Sequence, residues 1–249
     1  MNLHPSDKFQ KIFDPRELSV LRSRVLFYPC ASQDLLKPIK LFTPWIDTFW
    51  FVDTGYFSQE DPWSSPPIIS FNKQFHLLNK EVSIFDLPNE DLVTDQRYQG
   101  IPCFIVKEYY QYLPNNAVIT VIRHRRRGPS ALRTEIDKLG VFFYRGDSPE
   151  GSGTMWLTAW RKRRNNGSAL PLQIIEKLVD GGYIITDGSM CEIGGNPYNF
   201  LYLSTLEIKQ TGSLEKTIFQ DPFCNNFEYS GIVGYRYDRA TLAWKIHKN

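Results

Sequence analysis

At 249 residues, with 42% hydrophobic and 14% aromatic side chains, the chain can bury a substantial core and is far in composition from a disordered protein. Its 29 Lys and Arg against 27 Asp and Glu leave a formal charge of +2, so a polyanionic partner would have to be recognised by local patches, not by overall charge. No apolar run approaches the roughly 20 residues that span a bilayer, and Met1 to Leu18 lacks the apolar centre of an export signal.

The four cysteines, Cys30, Cys103, Cys191 and Cys224, lie far apart and form no CxxC pair, and four histidines show no ligand spacing. These features predict a cytoplasmic protein with reduced thiols, no membrane partner and no metal.

In chain order, Asp14-Pro15-Arg16-Glu17 predicts a helix start, with Asp as cap and Pro at the first helical position, running to about Ser23. Val25 to Tyr28 reads as a buried strand ended by Pro29. A small, polar turn comes next, Cys30-Ala31-Ser32-Gln33-Asp34. A second strand, Thr48 to Val52, ends at Asp53-Thr54-Gly55. Two apolar strands about 25 residues apart, each closing on a polar turn, suit a parallel sheet that holds ligands at its carboxyl ends. Asp53 alone is read first as a turn-former that caps the next helix.

Gln59 to Pro67 reads as a loop, and His76-Leu77-Leu78 and Val82 to Phe85 as weak elements on either side of Asn79-Lys80. Ile101 to Leu113 is strand-like and aromatic, turns at Pro114-Asn115-Asn116 and returns through Ala117 to Ile122, which predicts a hairpin. Ser130 is expected to cap a helix through Lys138, ended by Gly140. Val141 to Tyr144 is a further apolar strand, closing on the glycine-rich turn Arg145 to Gly153.

Leu172, Ile175, Leu178 and Val179 recur at helical spacing. Asp180-Gly181-Gly182 is expected to stop that helix, and Tyr183 to Thr186 to form a buried strand closed by an Asp187-Gly188 turn. Leu201 to Ile208 is a candidate strand. Phe227 to Tyr235 and Leu242 to Ile246 predict an antiparallel pair around Asp238-Arg239.

Laid end to end, these elements predict one α/β domain over residues 1–249. Its core is a mainly parallel Rossmann-like sheet with helices on both faces and an antiparallel C-terminal pair. A short N-terminal helical extension and an inserted hairpin near 101–122 complete it.

The layout resembles the class I S-adenosylmethionine-dependent methyltransferase family, most closely at Leu172 to Thr186, which is similar to that family's late helix, Gly-Gly, strand segment. The resemblance implies S-adenosylmethionine as cofactor and an unidentified small-molecule or macromolecular acceptor. It places Cys30, Ala31, Ser32 and Asp34 along the cofactor loop and Asp53 at the ribose. Asp147 would be the catalytic or substrate-facing acid, with Gly146 and Ser148 beside the substrate. Tyr28 to Asp34 contains no glycine, so Ala31 and Ser32 are its small residues.

Without the resemblance, the residues from Gly146 to Gly153 read as a surface loop, a backbone nest for an anion, or a presenter of Asp147 as a base. The alternative function is a non-catalytic binding protein on the same fold, gripping nucleic acid or a protein through basic runs 123–127 and 161–164. Arg125, Arg126, Arg127, Arg161 and Arg163 would supply the charge, since the two runs hold eight of the 29 cations. The plainer reading of these runs is solvated loops neutralised by acids such as Glu135 and Asp137.

Overall fold

The chain's apolar runs are strands, and strands dominate the molecule. The computed structural model describes residues 16–29, 31, 34–43, 45–53, 73–85, 103–126, 128–145, 170–187, 201, 218–221, 223–236 and 239–249. Two units are distinguished, Ser23–Asp137 and Met1–Arg22 with Lys138–Asn249.

In Ser23–Asp137 the elements are β1 (Val25–Pro29), α1 (Leu36–Phe42), β2 (Thr48–Val52), β3 (Phe75–Phe85), β4 (Cys103–Tyr112), β5 (Ala117–His124) and α2 (Gly128–Glu135). The strands order as β3-β4-β5-β2-β1. β1 pairs with β2, and β2 with β5, in parallel. β4 runs antiparallel to both β5 and β3. Leu26, Phe27, Tyr28, Phe49, Phe51 and Val52 are fully buried, as expected of strands covered on both faces. The expected hairpin is present. Its turn uses Asn116 at φ 57 and an Asn115 side chain that accepts the Ala117 N–H at 3.0 Å.

The second unit opens with a short 3₁₀ helix, Glu17–Leu21, and continues with β6 (Leu139–Tyr144), α3 (Leu170–Lys177), β7 (Leu178–Thr186), β8 (Ile218–Gln220), β9 (Asn226–Arg236) and β10 (Arg239–His247). Strand order is β6-β7-β10-β9-β8. Only β6–β7 is parallel; β7–β10, β10–β9 and β9–β8 are antiparallel.

This overturns the expected fold class. The protein is mostly β, with a mixed arrangement of ten strands and only three α-helices among the described residues, not a mainly parallel Rossmann-like sheet with helices on both faces. Within the two units five strand pairs are antiparallel and three parallel. The physical reason is that a continuous apolar run reports burial on two faces but not the direction of the neighbouring strand.

Local expectations are corrected for similarly specific reasons. Arg16, not Asp14, is the N-cap of a first helix that is 3₁₀ and ends at Leu21, where Arg22 turns extended. Ser130 is the third residue of α2 instead of its cap, and Gly140 lies inside β6. The two weak elements around Asn79-Lys80 are one strand, β3, eased by a bulge between Leu77 and Asn79. α1 was hidden by Pro38, which sits in its first turn, where a missing N–H costs nothing.

The Gly-Gly step is also different. α3 ends at Lys177, and Asp180-Gly181-Gly182 belongs to β7. Leu139 faces Leu178 and Val141 faces Tyr183, so the residues between form a bulge in β7. Gly181 has φ +74, and a Cβ on Gly182 would meet the carbonyl oxygens of Gly140 and Val179 at 2.9 Å. One glycine supplies the left-handed turn and the other the close approach. The C-terminus pins this bulge: the Lys248 N–H donates to Asp180 Oδ1 at 3.0 Å and its Nζ to the Glu176 carbonyl at 2.9 Å.

Among the described residues no helix is long and apolar enough to cross a membrane.

Candidate functional site

Because β1, β2 and β5 run parallel, their carboxyl ends lie side by side, with Pro29 beside Val52 and Val52 beside His124. Backbone bonds brace the chain as it leaves each strand. The Ala31 N–H donates to the Val52 carbonyl at 3.3 Å, Asp53 N–H to His124 at 3.1 Å and Arg125 N–H to Phe104 at 2.9 Å. The turn after β1 closes on itself through Asp34 N–H to the Ala31 carbonyl at 2.8 Å. Its carboxylate is held by the Tyr28 hydroxyl, which donates to Asp34 Oδ2 at 3.0 Å.

Three residues expected from sequence therefore share one strand edge. Ala31 is buried, whereas Asp34 and Asp53 are half-buried. Two carboxylates of intermediate exposure carry acceptors only, and are suited to ligand hydroxyls or to a cationic group. Cys30 and Ser32 lie outside the described residues, as do Gly146, Asp147 and Ser148.

A buried ion pair supports this edge. Glu108, fully buried on β4, accepts from Arg123 Nη2 of β5 at 2.9 Å and from the Tyr110 hydroxyl at 3.0 Å. Arg123 faces Phe51 across the β2–β5 register, one residue before His124 at the edge. Trp50 and Phe85 flank the buried His124 ring with centroids at 6.0 and 5.9 Å.

The basic run 123–127 is not a solvated surface over its described part. Arg125 is 3% and Arg126 4% exposed. Arg126 Nη1 turns back onto α2, bonding Thr134 Oγ1 at 2.7 Å and Glu135 Oε1 at 2.8 Å. A guanidinium committed to a neighbouring carboxylate is poorly placed to release counterions from a phosphate backbone. Arg127, Arg161 and Arg163 lie outside the described residues.

A second strand edge, in the other unit, is not evident from the sequence. Arg145 and Asp187 directly follow β6 and β7, and Thr241 lies in β10. All three are buried. The Arg145 guanidinium carbon lies 5.9 Å from the centre of the Phe143 ring. Arg145 and Asp187 each follow an apolar strand, and Thr241 lies near the start of β10. The only signal available was a polar residue at the end of each run, and register alone brings the three together.

Comparison with protein-family models and with curated proteins gives no match.

Proposed function

We propose that the protein is methyltransferase-like and binds S-adenosylmethionine, or a closely related nucleoside, at the edge formed by the ends of β1 and β2. The observation that carries this reading is Asp53, a half-buried carboxylate at the tip of β2, tied through its own N–H to β5 and adjacent to the small, buried Ala31.

The residues present fit such a ligand. Asp53 can accept both hydroxyls of a ribose, since a carboxylate offers about four lone-pair sites. Asp34, whose carboxylate accepts from the Tyr28 hydroxyl at 3.0 Å, adds negative charge to the same edge, which favours the amine or sulfonium side of the ligand. Ala31 is buried and projects only a methyl at this edge. The bound cofactor would supply the reactive methyl group, and this chain's residues orient it. The acceptor is unassigned.

Thermal unfolding tests the proposal. A ligand that binds only the native state stabilises it by about 2.7 kcal/mol at a hundredfold excess over Kd. S-adenosylmethionine at millimolar concentration should raise the melting temperature of the wild type and leave Asp53→Ala unmoved. No rise in the wild type would remove the cofactor assignment.

A further inference from the structure

A buried tyrosine ties one of the two acids at the first strand edge to the strand that carries the other. Tyr28 of β1 is fully buried and faces Phe51 in the parallel β1–β2 register, with ring centroids 6.3 Å apart. Asp53 stands two residues beyond Phe51. The Tyr28 hydroxyl donates to Asp34 Oδ2 at 3.0 Å. The backbone of Asp34 is anchored in the same direction. Its N–H donates to the Ala31 carbonyl at 2.8 Å, and the Ala31 N–H donates to the Val52 carbonyl at 3.3 Å. Main chain and side chain of Asp34 are thus both held against the strand that ends in Asp53.

Ring packing leaves a buried tyrosine hydroxyl little freedom, and such a hydroxyl usually finds a partner. A hydrogen bond to an ionised carboxylate is roughly twice as strong as one between neutral groups. It therefore restrains a half-buried side chain that would otherwise move among several rotamers. Holding a charged group in place before the ligand arrives removes an ordering cost from binding. Tyr28 and Asp34 make further interactions within the chain. A charge acts on a ligand through space and requires no vacant lone pair.

We infer, on the reading that this edge binds S-adenosylmethionine, that Tyr28 is a positioning residue that makes the site selective for charge. It holds the Asp34 carboxylate beside the ligand's sulfonium, so the cationic ligand binds more tightly than its neutral, demethylated form, S-adenosylhomocysteine. The two ligands share their nucleoside and amino-acid parts and differ by one methyl group and one positive charge. Contacts of Asp53 with the ribose therefore cancel in the comparison. Selectivity of this sign also favours release of the spent ligand.

Isothermal titration calorimetry of the full chain with both ligands tests this. The wild type should bind S-adenosylmethionine about fivefold more tightly than S-adenosylhomocysteine, the scale of a partly exposed ion pair. Asp34→Asn, which keeps an acceptor for the Tyr28 hydroxyl and removes the charge, should abolish the preference. Tyr28→Phe, which keeps the ring against Phe51 and removes the hydroxyl, should cut it to about twofold or less. A merely structural role would weaken both ligands by one factor and leave their ratio at the wild-type value. An unchanged ratio in Tyr28→Phe, or tighter binding of S-adenosylhomocysteine by the wild type, would overturn the inference. Should Tyr28→Phe fail to fold, Asp34→Glu takes its place, because it keeps the charge and displaces it from the hydroxyl. A preference as large as that of the wild type in Asp34→Glu would likewise overturn it.

Failure of the site and failure of the Tyr28 role look different. If Asp53→Ala abolishes binding of both ligands and Tyr28→Phe leaves their ratio untouched, the site stands and the role of Tyr28 falls. If the wild type binds neither ligand, both fall.

Discussion

The two strand edges solve the same problem in opposite ways. At the ends of β1, β2 and β5 the chain braces itself with backbone bonds from Ala31, Asp53 and Arg125, leaving two carboxylates half-exposed. At the ends of β6 and β7 the polar groups are buried, and one hydroxyl is left without a partner. The first edge is braced by its backbone and keeps its two acids half-buried. The second is closed and carries an unmet hydrogen bond. A self-braced edge tolerates loss of its acids without unfolding, whereas a strained one gains stability when its polar group is removed.

That contrast can be broken at its foundations. The largest effect is expected from Glu108→Ala, which removes the fully buried carboxylate that Arg123 Nη2 bonds at 2.9 Å beneath the first edge. Breaking a buried pair this way costs about 3–5 kcal/mol. Urea unfolding measures it, and replacing both partners by apolar residues of similar volume should restore most of the loss. A loss below about 1 kcal/mol for the single variant would show that the pair does not support the edge.

Next in size is Gly182→Ala in the β7 bulge. Its added methyl would press on the carbonyls of Gly140 and Val179, so a destabilisation of about 1–3 kcal/mol is expected. Gly181→Ala, strained at φ +74 but with ordinary contacts, should cost about 1 kcal/mol. The reverse order would mean that the left-handed turn, not the close approach, sets the bulge.

Asp53→Ala should change stability by less than about 1 kcal/mol, since the edge is held by backbone bonds. A chemical-denaturation midpoint far below that of the wild type would make Asp53 a structural cap instead of a ligand group.

The smallest effect concerns pH. Burial, and then the hydrogen bond and charge of Glu81 at 3.2 Å, push the Tyr109 phenol above its ordinary value of 10.0. A folded-state pKa raised in this way adds stability that is fully present below pH 10 and fades as pH rises through the folded value. Glu81→Gln should move the Tyr109 titration, followed by ultraviolet absorbance, back toward 10.0 and reduce that fade.

Much of the strand layout was legible in the chain. Val25–Pro29, Thr48–Val52 and the β4–β5 hairpin stand where their apolar and aromatic runs place them. Their neighbours were not legible, because pairing direction is a long-range property. β3 escaped because an exposed strand interrupted by a bulge shows no clean alternation, with Leu78 and Ile84 more than half exposed. Glu135 was legible as an acid neutralising the basic run, and it does pair with Arg126; the burial of Arg126 was not legible, because it follows from how α2 packs back onto the end of β5. For the candidate site, Ala31, Asp34 and Asp53 could be found because each closely follows a readable strand. Arg145, Asp187 and Thr241 could not, since strand register and nothing local makes them a row.

The central claim is that the edge at β1 and β2 holds the cofactor, and hydrogen exchange tests it most directly. With S-adenosylmethionine added to the full chain, amide exchange should slow at the turn after β1, around Ala31 and Asp34, and at Asp53, with little change along β7. Protection centred on β7 and Asp187, or none at either edge, would contradict the account.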